Sequence, residues 1–346
     1  MIIHMATHME MPTFDFVPEG TPGAQMVSVL EKPYSIGIRW ARIPEPGDYE
    51  VQVKIKWVGI CGSDLEAYRG TRAPEFIRFP ARLGHEVGGV ISKVGRCVQG
   101  LREGDPVSCR YIWGAYAQYI VCKPFNVKVL PKHLPLDAIS PIEVLPGILH
   151  AAELARADAS KTVLIMGQGV SGLIMTQVMA LFSPKELVVT DLYEKNLALA
   201  RQYGATRTYK IPSPDTPTRE ILGKDFPDGF SVVIPCLLEG DGVIDAIDMS
   251  AVCGRIVLYG CIGVCHKPLD FFRVHKKRLE IVSTEPRRDI DMRRFYQEGV
   301  QMVCDGLINT SDIVTHRFPL SRIDEAFAVR NACGEDTIHV LIDCEH

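Results

Sequence analysis

The chain has 346 residues, 47% apolar and 23% charged, too long for one small core and too apolar for disorder, so two domains are expected. Lys and Arg total 38 against 42 Asp and Glu, a formal net charge of −4, so no basic surplus argues for nucleic acid. The start MIIHMATHMEMPTFD lacks the basic-then-apolar pattern of a secretory signal, no run is read as a membrane span, and the eleven cysteines are scattered with no C-x-x-C pair, so a disulfide scaffold is excluded and a reducing cytoplasm is expected.

Residues 1–25, with Pro12, Pro18 and Pro22, read as an irregular extension. From Met26 the runs MVSVLE, SIGIRWARI and YEVQVKIKWVGI alternate or carry β-branched residues, with EKP and PEPGD between them. The same style continues through GGVISKVG, DPVSCRYI, AYAQYIVC and NVKVLP, which predicts a mostly antiparallel, barrel-like β domain. Near Leu134 the pattern turns helical over PLDAISPIEVLPGILHAAELARAD. KTVLIMG, VSGLIMTQVMALF, ELVVTD, EKNLALARQYG, SVVIPC, GVIDAIDMSAV and GRIVLYG then alternate strand and helix, the mark of βαβ units on a parallel sheet. Beyond Ser283 the alternation weakens; RRFYQEGVQMVCDG and RIDEAFAVRN read as helices and HVLIDC as a closing strand. The last sixty or so residues are too few to fold alone and are expected to rejoin the first domain.

Two sets of residues carry chemistry. Strand VLIM runs into Gly167-Gln168-Gly169-Val170-Ser171-Gly172 and then a helix. Gly167 permits the tight turn, Gly169 the close approach of backbone to a pyrophosphate, and Gly172 the packing of helix on strand. The N–H groups at the helix start, from Val170 and Ser171 onward, face the phosphates. Asp191 closes the next strand, 19 residues after Gly172, where an acid accepts from ribose hydroxyls and repels a 2′-phosphate; the reading is NAD rather than NADP. Asp191 could instead cap the helix starting near Glu194. The second set is Cys61 in GICGSD, with His85 and Glu86 in GHEVGG. A thiolate and an imidazole suit zinc, and a catalytic zinc keeps an open position beside three protein ligands.

These motifs, with Gly104-Asp105-Pro106-Val107 and Thr315-His316-Arg317-Phe318-Pro319-Leu320, resemble the zinc-dependent medium-chain dehydrogenases, in particular their sorbitol (polyol) dehydrogenase-like members. The resemblance implies a GroES-like β-rich catalytic domain from residues 26–147 and 285–346, and a Rossmann doubly wound parallel sheet over 148–284. It implies one catalytic zinc per chain, held by Cys61, His85 and, as third ligand, Glu143, with Val144 where the polyol enzymes have proline. Glu86 is then a neighbour of the metal shell or an alternative ligand. With neutral His85 and two anionic ligands, the zinc site is formally uncharged. Ser63 matches the position that takes the proton of the substrate hydroxyl, Glu66 stands where family relays end in histidine, and Arg288 of the pair Arg287-Arg288 matches an arginine that reaches a substrate hydroxyl. Trp113, Tyr116 and Tyr68 are candidate pocket walls or ordinary core. A second, four-cysteine zinc site is not expected, since only Cys97 and Cys109 lie in the corresponding stretch, and Cys261, Cys265 and His266 are not read as ligands.

The expected reaction passes hydride between a secondary alcohol, of a polyol, cyclitol or sugar alcohol, and NAD. The alternative is a zinc-free quinone or enoyl reductase of the same fold, which leaves Cys61, His85 and Glu143 without purpose. A short-chain dehydrogenase is rejected because Tyr119-x-x-x-Lys123 lies in a strand-like run before the fingerprint. A homodimer or homotetramer is expected, with the strand GRIVLYG and the following CIGVC as the apolar sheet edge that a partner covers; no nucleic-acid or membrane partner is expected.

Overall fold

In a computed structural model that describes residues 15–72, 77–110, 112–237, 241–259, 265, 267–284 and 289–346, the chain divides into two units. In chain order the first contains β1 (Ala24–Lys32), β2 (Ser35–Arg42), β3 (Val51–Gly59), α1 (Gly62–Arg69), β4 (Glu86–Val94), β5 (Pro106–Cys109), β6 (Tyr119–Cys122), β7 (Val127–Val129) and α2 (Leu136–Ile139). The second holds α3 (Leu145–Ala155), β8 (Thr162–Met166), α4 (Val170–Leu181), β9 (Glu186–Asp191), α5 (Glu194–Gln202), β10 (Arg207–Lys210), α6 (Thr218–Leu222), β11 (Phe230–Pro235), α7 (Gly242–Met249), β12 (Ser250–Leu258), α8 (Phe271–Lys277), β13 (Glu280–Ser283) and α9 (Asp289–Cys304). The chain then returns to the first unit with β14 (Val314–Pro319), α10 (Ile323–Ala332) and β15 (His339–Asp343).

The first unit is the expected GroES-like β domain. β1 and β2 form an antiparallel hairpin, and a seven-stranded sheet runs β14-β15-β3-β4-β5-β7, with β6 also on β3. Val53, Ile55 and Val58 of β3 and Val87 and Ile91 of β4 are fully buried or nearly so and close on Leu65 of α1 and Phe327 of α10. Each such side chain removed from water contributes about 1.5–3 kcal/mol, so these elements hold the turns between them in place.

The second unit carries a six-stranded sheet in the order β10-β9-β8-β11-β12-β13, with every pairing parallel. Val163, Leu164 and Ile165 of β8 are fully buried, the near-continuous apolar run expected of a strand covered on both faces. The order reverses at β8, and in such sheets ligands bind outside the carboxyl ends of the strands at that point.

Three features differ from expectation. The second unit runs from Val144 to Asn309 rather than 148–284, because α9 packs on α3, where Cβ of an alanine at Gly299 would lie 2.9 Å from Leu145 Cβ. The Gln177 side chain clasps the end of that unit, donating to the Asn309 carbonyl at 2.9 Å and accepting from its N–H at 2.6 Å. The strand in GRIVLYG is not the sheet edge: β13 pairs with it through Arg255↔Glu280 to Leu258↔Ser283, since the run after α8 extends again. Finally, the helical run Leu136–Ala155 has the length and mean hydropathy of a membrane span; 62% of its window is buried within the fold, and it carries Asp137, Glu143 and Glu153, as suits a core helix.

Candidate metal and dinucleotide sites

β3 ends at Gly59, and Cys61 takes extended backbone (φ −70°, ψ 158°) as the N-cap of α1. Across the sheet Gly59 faces Glu86, so the turn after β3 lies beside the start of β4. The result brings together Cys61, His85 and Glu86, with one ligand atom from each within 4.8 Å of the others. Gly84 permits this approach: its φ is +92°, and a Cβ there would stand 2.9 Å from the Tyr116 backbone nitrogen.

Asp64, fully buried, ties the two turns together. Its Oδ2 accepts from the Cys61 N–H (3.1 Å) and the Tyr116 hydroxyl (2.9 Å); its Oδ1 accepts from the Gly84 N–H (3.2 Å) and lies 3.6 Å from His85 Nδ1. A carboxylate on Nδ1 favours the tautomer whose Nε2 lone pair is open to a metal. Burial alone would raise the Asp64 pKa, but His85, Tyr116 and the Gly84 N–H outweigh it and hold it below its usual value. Burial alone would lower His85, but Asp64 and Cys61 hold it well above the usual imidazole range. Burial and the nearby Glu86 carboxylate push the Cys61 thiol up, partly offset by His85.

Without a cation this arrangement is costly. Glu86 Oε2 and His85 Nδ1 are buried and make no aligned hydrogen bond, and a thiol is crowded by carboxylates. One soft sulfur, one imidazole and one carboxylate are a donor set suited to zinc, so the residues fit the metal.

The other expected residues are placed as follows. Ser63 Oγ lies 3.5 Å from His85 Nε2, beside the trio. Glu66, buried, has Oε2 3.7 Å from Arg72, whose Nη1 also lies 3.4 Å from the Ser63 carbonyl. Glu143 does not join the trio: its Oε1 faces Arg110 Nε at 3.7 Å, and its carbonyl accepts from Arg110 Nη1 at 2.9 Å. Arg288 lies outside the described residues, as do Cys261 and His266. Trp113 lies against His85 with ring centroids 4.7 Å apart, whereas Tyr68 packs on Phe327 in the core. Sequence reasoning missed Asp64, although the Cys-x-x-Asp spacing of a helix start was visible. It also missed His339, whose Nε2 lies 3.2 Å from Glu86 Oε2 and which no local pattern marks.

In the second unit, Gly167 has φ +87°, and a Cβ at Gly172 would lie 1.9 Å from the Gly167 carbonyl oxygen, so the first and third glycines of the fingerprint are required by backbone geometry. A Cβ at Gly169 would meet nothing within 4 Å, which leaves space over the N-terminus of α4, where Val170 and Ser171 begin the helix. Asp191, at the end of β9, accepts from the Gln168 N–H (2.6 Å), the Tyr193 N–H (2.8 Å) and Asn196 Nδ2 (3.1 Å). Burial raises the Asp191 pKa, opposed by the Gln168, Tyr193 and Leu192 N–H groups and by Asn196. The open space at Gly169 and the acid at the β9 terminus fit a dinucleotide.

Comparison with known proteins agrees with this picture. Residues 47–132 match the alcohol dehydrogenase GroES-like domain. Galactitol 1-phosphate 5-dehydrogenase of Escherichia coli (strain K12) is 29% identical over 268 residues, covering 68% of this chain and 75% of its own. D-xylulose reductase of Saccharomyces cerevisiae is 26% identical over 359 residues, covering 92% and 98%. The crystal structure of a short chain alcohol dehydrogenase from E. coli CFT073 complexed with NADH has the same fold, with a TM-score of 0.80 at 23% identity and coverage of 93% and 99%. In these matches the chain is similar to the zinc-dependent medium-chain dehydrogenases and reductases. It is an oxidoreductase. Tyr119 and Lys123 begin and follow β6, a strand, which removes the short-chain catalytic pair from consideration.

Proposed function

We propose that the protein is a dehydrogenase that oxidises or forms a secondary alcohol in a polyhydroxy substrate, a polyol, cyclitol or sugar alcohol, with one zinc per chain and NAD. The observation that carries this reading is the Cys61–His85–Glu86 trio in one unit, in a chain whose other unit has the dinucleotide turn and Asp191.

Cys61, His85 and Glu86 hold the metal, Asp64 keeps His85 in the ligating tautomer, and Glu143, held by Arg110, is an alternative ligand. When bound, zinc supplies Lewis-acid polarisation that lowers the pKa of an alcohol hydroxyl toward neutrality. NAD supplies a hydride acceptor. Ser63 Oγ, beside the trio, takes the hydroxyl proton, and Glu66 receives it further along α1, with Arg72 next to both residues. In the second unit the first N–H groups of α4 hold the pyrophosphate and Asp191 holds the ribose.

The polyhydroxy preference is supported by the carboxylates Glu66 and Glu143 and by the polyol-type names of the two relatives. A site built to hydrogen-bond a hydroxyl rejects an analogue lacking it by up to about 10⁴–10⁵ in kcat/KM. The test is a panel of polyols, cyclitols and sugar alcohols with NAD, read as NADH absorbance, against chain-matched monoalcohols. Equal kcat/KM for both groups, or a preference for the monoalcohol, would overturn the substrate class. We further infer a homodimer or homotetramer joined at the β13 edge, where Ile281 is 39% exposed; a monomeric mass by light scattering at micromolar concentration would refute it.

A further inference from the structure

β15 and β4 lie on either side of β3: Leu341 pairs with Gly59 from one side, and Glu86 pairs with Gly59 from the other. β3 stops there, and the Ile60 N–H donates to the Val340 carbonyl at 3.0 Å. Beyond the end of β3, side chains from its two neighbours can therefore meet. They do: His339 Nε2 stands 3.2 Å from Glu86 Oε2, with His339 fully buried and Glu86 1% exposed.

The backbone of His339 is pinned from the β14 side. Thr315 Oγ1 accepts from the Ile338 N–H (3.1 Å) and the His339 N–H (3.3 Å), and donates to the His339 carbonyl (3.0 Å). Thr315 opens the Thr315-His316-Arg317-Phe318-Pro319-Leu320 segment seen in the sequence. A threonine there fixes where β15 begins, and so where the imidazole points.

Glu86 needs such a partner. Its Oε2 is buried, a buried carboxylate without a nearby donor is expensive, and His339 Nε2 at 3.2 Å is the donor group facing it. A carboxylate that must meet a metal with one face gains from a fixed donor on the other, since it then need not be ordered at the moment of binding.

We propose that His339 is a positioning residue that holds the Glu86 carboxylate in register for the metal through Nε2, so that the C-terminal strand completes the centre formed by Cys61, His85 and Glu86. This rests on the reading of Glu86 as a ligand. His339 lies outside the trio of grouped ligand residues.

The variants are His339→Gln, whose amide nitrogen can occupy the place of Nε2, and His339→Asn, whose amide nitrogen falls at the place of Nδ1 and cannot reach. Zinc affinity is measured on the full chain by competition with a chromophoric chelator, and the visible spectrum is recorded after Co²⁺ substitution. Loss of a group that orients a ligand typically costs about 10–100-fold in metal affinity. His339→Asn is therefore expected to weaken zinc by that factor and alter the Co²⁺ bands, while His339→Gln stays within about threefold of wild type with unchanged bands. In a Glu86→Gln background, His339→Asn should add nothing, since both act through one carboxylate.

Equal zinc affinity and identical Co²⁺ bands in wild type and His339→Asn would overturn the proposal. So would a tenfold loss in folded His339→Gln, which decides the matter even if the asparagine variant does not fold. Additive losses in the double variant would show that His339 does not act through Glu86. Failure of the underlying reading looks different: Glu86→Gln would then bind zinc as wild type does, whatever the residue at 339.

Discussion

Replacing Asp64 by Asn is the sharpest test of how the metal turn is held. The side chain keeps its shape, but one oxygen becomes an NH₂ group that donates. With the amide nitrogen at Oδ2, the Cys61 N–H loses its acceptor, while the Tyr116 hydroxyl can turn to the Gly59 carbonyl, 3.1 Å away. With the nitrogen at Oδ1, the Gly84 N–H loses its acceptor and the His85 tautomer is reversed. Either way one buried donor is left unmade, about 1–3 kcal/mol, and the surviving bonds lose the strengthening of a charged acceptor, so the expected destabilisation is about 2–4 kcal/mol. The assay is convenient because Trp40, Trp57 and Trp113 are all the tryptophans of the chain and all lie in the first unit. Urea unfolding followed by tryptophan fluorescence therefore reads that unit, and the midpoint should fall with little change in slope. Zinc affinity should fall about 10–100-fold in the same variant, because His85 is no longer oriented. A midpoint shift worth less than about 0.5 kcal/mol, the range of ordinary surface changes, together with unchanged zinc binding would show that Asp64 does not tie the two turns.

Further predictions separate the glycines, the acid and the thiol. Gly172→Ala drives a Cβ to within 1.9 Å of a carbonyl oxygen and should destabilise the second unit by about 3 kcal/mol or more, whereas Gly169→Ala should leave melting by circular dichroism unchanged and weaken only NADH binding. Asp191→Gly should narrow the preference for NADH over NADPH by roughly 1–3 kcal/mol, and NADH binding itself should weaken because the Gln168 N–H loses its acceptor; wild-type protein that binds both dinucleotides equally would contradict the role given to this acid. Metal analysis should find one zinc per chain, lost in Cys61→Ser while NADH binding in the second unit persists; two tightly held zinc ions per chain would contradict the ligand assignment.

Much of this molecule is legible along the chain, because short-range patterns encode short-range geometry. The apolar run VLIM followed by three glycines at fixed spacing requires a strand, a tight turn and a helix, and the backbone of Gly167 and Gly172 bears out the steric reason. Cys61 and His85 announce themselves by residue type within glycine-flanked turns. What the chain alone leaves open is which distant groups meet them. Glu86 reaches Cys61 because Gly59 pairs with Glu86 across two strands, and a shift of one residue would turn that side chain to the other face. Glu143, equally acidic and equally suited on paper, is instead drawn to Arg110. His339 stands 253 positions from Glu86 in sequence yet 3.2 Å from it in space, through a strand order that brings the end of the chain beside β3. Likewise β13, which starts three residues after α8 ends, takes the sheet edge that the more apolar β12 seemed to offer. Local propensity therefore decides which elements exist and where their turns fall. Strand order, register and the pairing of buried charges, which depend on contacts between remote parts of the chain, decide which side chains share a site.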